Sequence, residues 1–143
     1  GIFTGYRGYE HNQVQPLFPF GYGLSYTTFS YSGLEVKVDD RKKGDVTVRF
    51  SVRNDGKREG AEVVQLYVSD PKSGEPRPVK ELKGFEKVNL KPGETQTVTL
   101  KLTQDDFSYF SSKKRKWVFE KGDFVIRVGA SSQDIRLEET IRL

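Results

Sequence analysis

The sequence has no cysteine and no methionine, a single histidine and a single tryptophan. Without cysteine there is no disulfide framework and no thiolate metal site. With His11 alone there is no histidine cluster to hold a transition metal, and a Ser-His-Asp triad would have to use His11 without any nucleophile-elbow motif around the serine. No cofactor is expected. Alanine is almost missing, with 2 residues in 143. Because alanine is the best helix former, its scarcity argues against a helical core. No stretch of about 20 apolar residues and no secretory hydrophobic segment occurs, so no membrane partner is expected. The compartment stays open between secreted or periplasmic and cytoplasmic in a bacterium. The net charge of +4 is a mild excess that does not demand a nucleic acid partner.

What the chain does have is 15 valines, 9 threonines and 18 aromatic residues. β-Branched and aromatic side chains suit a pleated surface, so an all-β domain is expected. "DVTVRFSVRN" at Asp45–Asn54 sets Val46, Val48, Phe50 and Val52 on one face, a strict period of two. Further strands are predicted at about Thr28–Val38, Ala61–Ser69, Val79–Leu90 with a bend at Gly84, Thr95–Leu102, Trp117–Phe119, Phe124–Val128 and Ile135–Leu143. In the third of these strands Val64, Leu66 and Val68 are expected to point inward. Pro71, Gly74, Pro76 and Pro78 exclude a central strand and predict a loop. "KPGE" at Lys91–Glu94 reads as a turn, and Gln104–Phe107 as a short helical turn. About seven short strands at regular spacing predict an antiparallel immunoglobulin or fibronectin type III-like sandwich with an irregular N-terminal extension.

Catalytic patterns are weak. Asp39/Asp40, Asp105/Asp106 and Glu138/Glu139 are adjacent in sequence, and neighbours on a strand point to opposite faces, so adjacency makes no dyad. Ser111 and Lys114 match S-x-x-K inside a solvated "SSKKRK", without its partner motifs. The glycines of "FGYGLS" lack the full dinucleotide fingerprint. Lys113, Lys114, Arg115 and Lys116 precede Trp117. They read as a hairpin tip ending in a core tryptophan, or else as a weak polymer-binding patch that stacks on a sugar ring or grips a polyanion.

The stretch "PLFPFGYGLSYTTFSYS" (Pro16–Ser32) fits neither a helical period nor a strand alternation. Together with "GYRGYE" (Gly5–Glu10), "GAEVVQLYVSDP" (Gly60–Pro71), "KELKGFEKVNLKPGET" (Lys80–Thr95), Trp117 and "GDFVIRVGASSQDIRL" (Gly122–Leu137), it resembles the carboxy-terminal region of family 3 glycoside hydrolases, the β-glucosidase and β-xylosidase group. In that family an N-terminal barrel carries the nucleophilic aspartate and an α/β sandwich domain often carries the acid/base glutamate. A fibronectin type III-like domain closes many members. The resemblance implies that residues 1–26 are the tail and exit ribbon of the α/β domain and that residues 27–143 are the fibronectin-like domain. It also implies that Phe3, Tyr6, Tyr9, Phe18, Phe20 and Tyr22 face the neighbouring domain. The family's nucleophile triplet and the Lys-His pair of its barrel are absent, so no catalytic residue carries over.

The chain lacks a starter methionine and is expected to be a piece of something larger. Its expected function is that of a non-catalytic accessory module packing against and stabilising the parent's catalytic domains. The alternative is a module that binds carbohydrate or another plant-wall polymer. Weak pairing with a second copy into a homodimer is a further open possibility.

Overall fold

The structure, a computed structural model, describes residues 27–70 and 80–143 of the chain. Among the described residues nine strands follow one another: β1 (Phe29–Asp40), β2 (Asp45–Asn54), β3 (Gly60–Ser69), β4 (Glu81–Leu90), β5 (Thr95–Leu102), β6 (Tyr109–Ser111), β7 (Lys116–Val118), β8 (Asp123–Ser131) and β9 (Asp134–Arg142). A 3-10 turn at Gln104–Phe107 sits between β5 and β6. The strands form a three-stranded sheet in the order β1-β2-β5, a four-stranded sheet in the order β4-β3-β8-β9, and a separate β6-β7 ribbon. All recorded pairings are antiparallel.

The two larger sheets pack face to face, as the valine-rich alternation requires. Val46, Val48, Phe50 and Val52 of β2 meet Val64, Leu66 and Val68 of β3, with Val88, Val98, Phe124, Ile126 and Val128 closing one shared core. The 3-10 turn adds Phe107, which meets Phe124 edge to face at 5.0 Å between ring centres. Phe119 is half-buried and stacks on Phe124 at 6.5 Å.

Backbone geometry and one buried amide fix the ends of the sandwich. Gly44, between β1 and β2, has φ +71, and a Cβ there would also come within 3.1 Å of the Gln104 backbone. Gly129 lets β8 approach β9 closely, since a Cβ would lie 2.1 Å from the Asp134 carbonyl oxygen. At the opposite end from Gly44, Asn54 is fully buried and fully used. Its Nδ2 donates to the carbonyls of Arg58 (2.7 Å) and Leu90 (2.9 Å), and its Oδ1 accepts from Thr27 Oγ1 (2.7 Å) and Gly56 N (2.9 Å). A buried polar side chain without those partners would cost about 1–3 kcal/mol.

One sequence expectation needs correction. Trp117 is not a core residue: it is 66% exposed. Its shared parity with Phe119 has no structural meaning, because β7 ends at Val118 and the alternation stops there. Within the β6-β7 ribbon Tyr109 is buried and pairs with Val118, so the opposite face, Phe110 paired with Trp117, turns to solvent. The irregularity in β4 falls at Lys83, next to the expected bend at Gly84: Leu66 pairs with Gly84 while Tyr67 pairs with Leu82, which leaves Lys83 as the extra residue. The loop predicted at Pro71–Pro78 lies outside the described residues, as do Phe3, Tyr6, Tyr9, Phe18, Phe20 and Tyr22.

Candidate functional site

Three places on the described surface gather side chains that could act. The first is the β6-β7 ribbon. Its strands are only three residues long, joined by a turn at residues 112–115 in which Lys114 N donates to Ser111 Oγ at 3.1 Å and Arg115 takes a left-handed φ of 53. Lys113, Lys114, Arg115 and Lys116 are all exposed, and none forms an ion pair among the described residues. The hairpin tip is therefore where the sequence placed it. On the outward face Phe110 (55% exposed) and Trp117 meet edge to face, with centroids 5.8 Å apart and planes at 73°. Nearly perpendicular rings do not form a flat stacking row, although the Trp117 face lies open beside four cations.

The second place is a polar clasp where the edges of the two sheets meet. Tyr31 of β1 donates its hydroxyl to Glu62 Oε2 of β3 at 2.8 Å. The Arg136 guanidinium of β9 lies 5.2 Å above the Tyr31 ring, donates to the Phe29 carbonyl at 2.9 Å, and grips both oxygens of Asp134 at 2.6 and 2.9 Å. Burial, reinforced by the Glu62 charge, pushes the Tyr31 hydroxyl well above its ordinary value. Burial likewise raises the Glu62 carboxyl, against the opposing pull of the Tyr31 hydrogen bond and Arg136. The Arg136 hydrogen bonds hold Asp134 below the usual carboxylate range. The Tyr31 ring also stacks on Phe50 of the core at 6.1 Å. The clasp ties β1, β3 and β9 together rather than opening a cleft, and Asp134 is committed to Arg136.

The carboxylates singled out in the sequence have structural duties. Asp39 accepts from Thr47 Oγ1 at 2.5 Å, Asp40 from Lys43 N at 3.0 Å, and Asp106 from Thr103 N at 2.8 Å in the capping box of the 3-10 turn. Burial raises the Asp106 carboxyl. Glu138 pairs with Arg127 at 2.8 Å. None of these is brought together with its sequence neighbour as an acid/base pair. Among the described residues no group of three or more His, Cys, Asp or Glu could hold a metal ion.

The third place is the outward face of β3, which the sequence reading did not pick out. Val63, Gln65, Tyr67 and Ser69 alternate with the core residues Val64, Leu66 and Val68, yet all four are buried as well. The signal was present in the Val63-Val64 doublet and the Leu66-Tyr67-Val68 run, since a strand covered on both faces reads as continuously apolar. At the edge of this face a shallow depression lined by Glu59, Gly60, Ala61, Lys87 and Asn89 is too open to enclose a small molecule.

Residues 62–132 match the fibronectin type III-like domain family. Over its whole length the chain is 50% identical to thermostable beta-glucosidase B of Acetivibrio thermocellus and covers 19% of that protein. Among solved structures it is similar to the GH3 beta-glucosidase of Bifidobacterium adolescentis, with TM-score 0.83 and 39% identity over 100% of this chain and 21% of that one. It is also similar to the beta-glucosidase of Kluyveromyces marxianus solved in complex with glucose, with TM-score 0.81 and 46% identity over 99% of this chain and 17% of that one. The chain thus spans about a fifth of the length of the curated relatives it matches. It carries a fibronectin type III-like domain and is related, over its full length, to one part of the family 3 β-glucosidases.

Proposed function

We propose that this chain is a non-catalytic accessory module of a family 3 β-glucosidase, which packs against the catalytic domains of that enzyme and stabilises them. The observation that carries this reading is the Phe110–Trp117 pair. It is a large aromatic surface left in water by a sandwich whose core is complete without it. Aromatic side chains of this size expose a large apolar area, and such patches on a well-packed domain mark contact surfaces. In the same reading residues 1–26 are the exit ribbon of the preceding α/β domain, with Phe3, Tyr6, Tyr9, Phe18, Phe20 and Tyr22 at the junction.

A second reading, binding to a wall polysaccharide, draws on one specific observation: the open face of Trp117 beside Lys113–Lys116. The two readings separate in the full-length enzyme carrying Phe110→Ser and Trp117→Ser. The packing role predicts a lower melting temperature and earlier domain dissociation in urea, with unchanged retention on insoluble glucans. Loss of retention on glucans with melting unchanged would shift the function to polymer binding. The isolated chain should not hydrolyse aryl β-glucosides. Turnover by pure chain that one carboxylate-to-amide change abolishes would sink the non-catalytic reading.

A further inference from the structure

The β6-β7 ribbon concentrates the charge of the whole chain. Of its 24 lysines and arginines, four follow one another from Lys113 to Lys116, and the other 20 are matched by 20 aspartates and glutamates. The chain is therefore formally neutral apart from one turn, which carries the entire excess of +4. From Phe107 to Phe119 the sequence holds no carboxylate side chain. On the sheets Arg49, Arg127, Arg136 and Arg142 each hold an aspartate or glutamate. The four side chains of the turn are exposed and form no ion pair among the described residues. Like charges this close repel one another, so a counter-charge brought to the turn is stabilising.

The exposed aromatic pair sits on the same ribbon. Phe110 and Trp117 face each other across the two strands, one step from the Ser111–Lys116 pair that closes the basic turn. A ribbon of two three-residue strands is marginal by itself, yet it presents two large rings to water instead of to the core. An aromatic centre with charge at its rim is the anatomy of one half of a protein interface.

We propose that the ribbon docks into an acidic socket on the catalytic part of the parent enzyme: an apolar recess that takes Phe110 and Trp117, rimmed by aspartate and glutamate side chains that pair with Lys113, Lys114, Arg115 and Lys116. This rests on the packing reading above and adds the chemistry of the receiving surface. Shape favours a protein recess over an extended anionic polymer. Four consecutive residues span at most about 14 Å. They lie in a turn in which Arg115 takes a φ of 53, so they make a point of charge and not a track. The two rings, with planes at 73°, make a wedge and not a platform for a sugar. Charge complementarity of this kind sets register and orientation more than raw affinity, so the turn fixes how the sandwich faces the rest of the enzyme.

The test is a salt series on the full-length enzyme. One variant carries Lys113→Gln, Lys114→Gln, Arg115→Gln and Lys116→Gln together, and a second carries Phe110→Ser and Trp117→Ser. The quadruple change is also made in the isolated chain. At about 10 mM salt, where charges act over about 30 Å, the quadruple variant should melt about 2–4 °C below the unaltered enzyme. At about 1 M salt, where that length is about 3 Å, most of this deficit should vanish. The aromatic variant should melt early at both salt concentrations. In the isolated chain the quadruple change should leave the melting temperature unchanged or raise it, because repulsion within the turn is relieved. An aromatic deficit without a charge deficit would overturn the acidic rim and leave the packing reading standing. No deficit in either variant would overturn both. A charge deficit that salt does not reduce, or that also appears in the isolated chain, would assign these residues to the sandwich itself and end the socket proposal. Unchanged melting with lost retention on polygalacturonate would end it too, by giving the cations to an anionic polymer.

Discussion

β2 and β3 are inner strands of the two sheets and are ten residues long each, yet they meet water differently. In β2 every second side chain from Val46 to Val52 is buried, while Arg49 and Arg53 on the other face are exposed. In β3 both faces are buried from Val63 to Ser69. The contrast teaches that strand alternation reports what covers a sheet as much as the sheet itself. Where only one layer exists, polar and apolar residues alternate. Where a second layer is supplied, the strand reads as a run.

Four substitutions would break or sharpen this contrast. Phe50→Ala removes a fully buried ring of β2 that also supports Tyr31, and it should cost about 3–5 kcal/mol in urea unfolding. Tyr67→Phe keeps the ring on the outer layer of β3 but deletes the hydroxyl that donates to the Gln65 side chain. If that face is as enclosed as the core, a buried Gln65 oxygen is deprived of this donor, and the loss should be about 1–3 kcal/mol by the same measurement. A null result would mean that water or another donor serves the Gln65 oxygen in place of the tyrosine.

Trp117→Ala should change the unfolding free energy of the isolated chain little, by at most about 1 kcal/mol, because the ring is exposed and its recorded ring contact is with Phe110. A core-sized loss would place Trp117 inside the sandwich after all. The smallest effect is one of slope. Burial holds the folded-state pKa of Glu62 above its unfolded value, so the native state binds that proton more tightly. Stability from this group is then present below the ordinary carboxylate range and declines as pH rises through the raised value. Glu62→Gln should flatten that decline in urea midpoints measured from acid to neutral pH. Asp134 runs the other way: held low by Arg136, its contribution is present above the ordinary carboxylate range and is lost on acidification.

Much of the fold was legible because its strands are half-buried. Asp45–Asn54, Thr95–Leu102 and the turn at Gln104–Phe107 stand where periodicity and turn chemistry put them. Tyr109–Ser111 was not expected, since three residues are too few to show a period. Trp117 misled for the same reason: parity can be counted along a strand but not past its end. The basic tip was legible from charge alone, whereas Phe110, the partner that turns an exposed tryptophan into an aromatic patch, emerged only through cross-strand pairing.

Composition and alternation by themselves determined an antiparallel valine-rich sandwich without thiol or histidine chemistry, because side-chain spacing along a strand is a local property. The tertiary structure decided which aromatics face water and which carboxylates are spent on Arg136, Arg127 or a capping box. It also decided that β3 is covered on both faces. Those outcomes depend on residues distant in sequence, which no local period encodes.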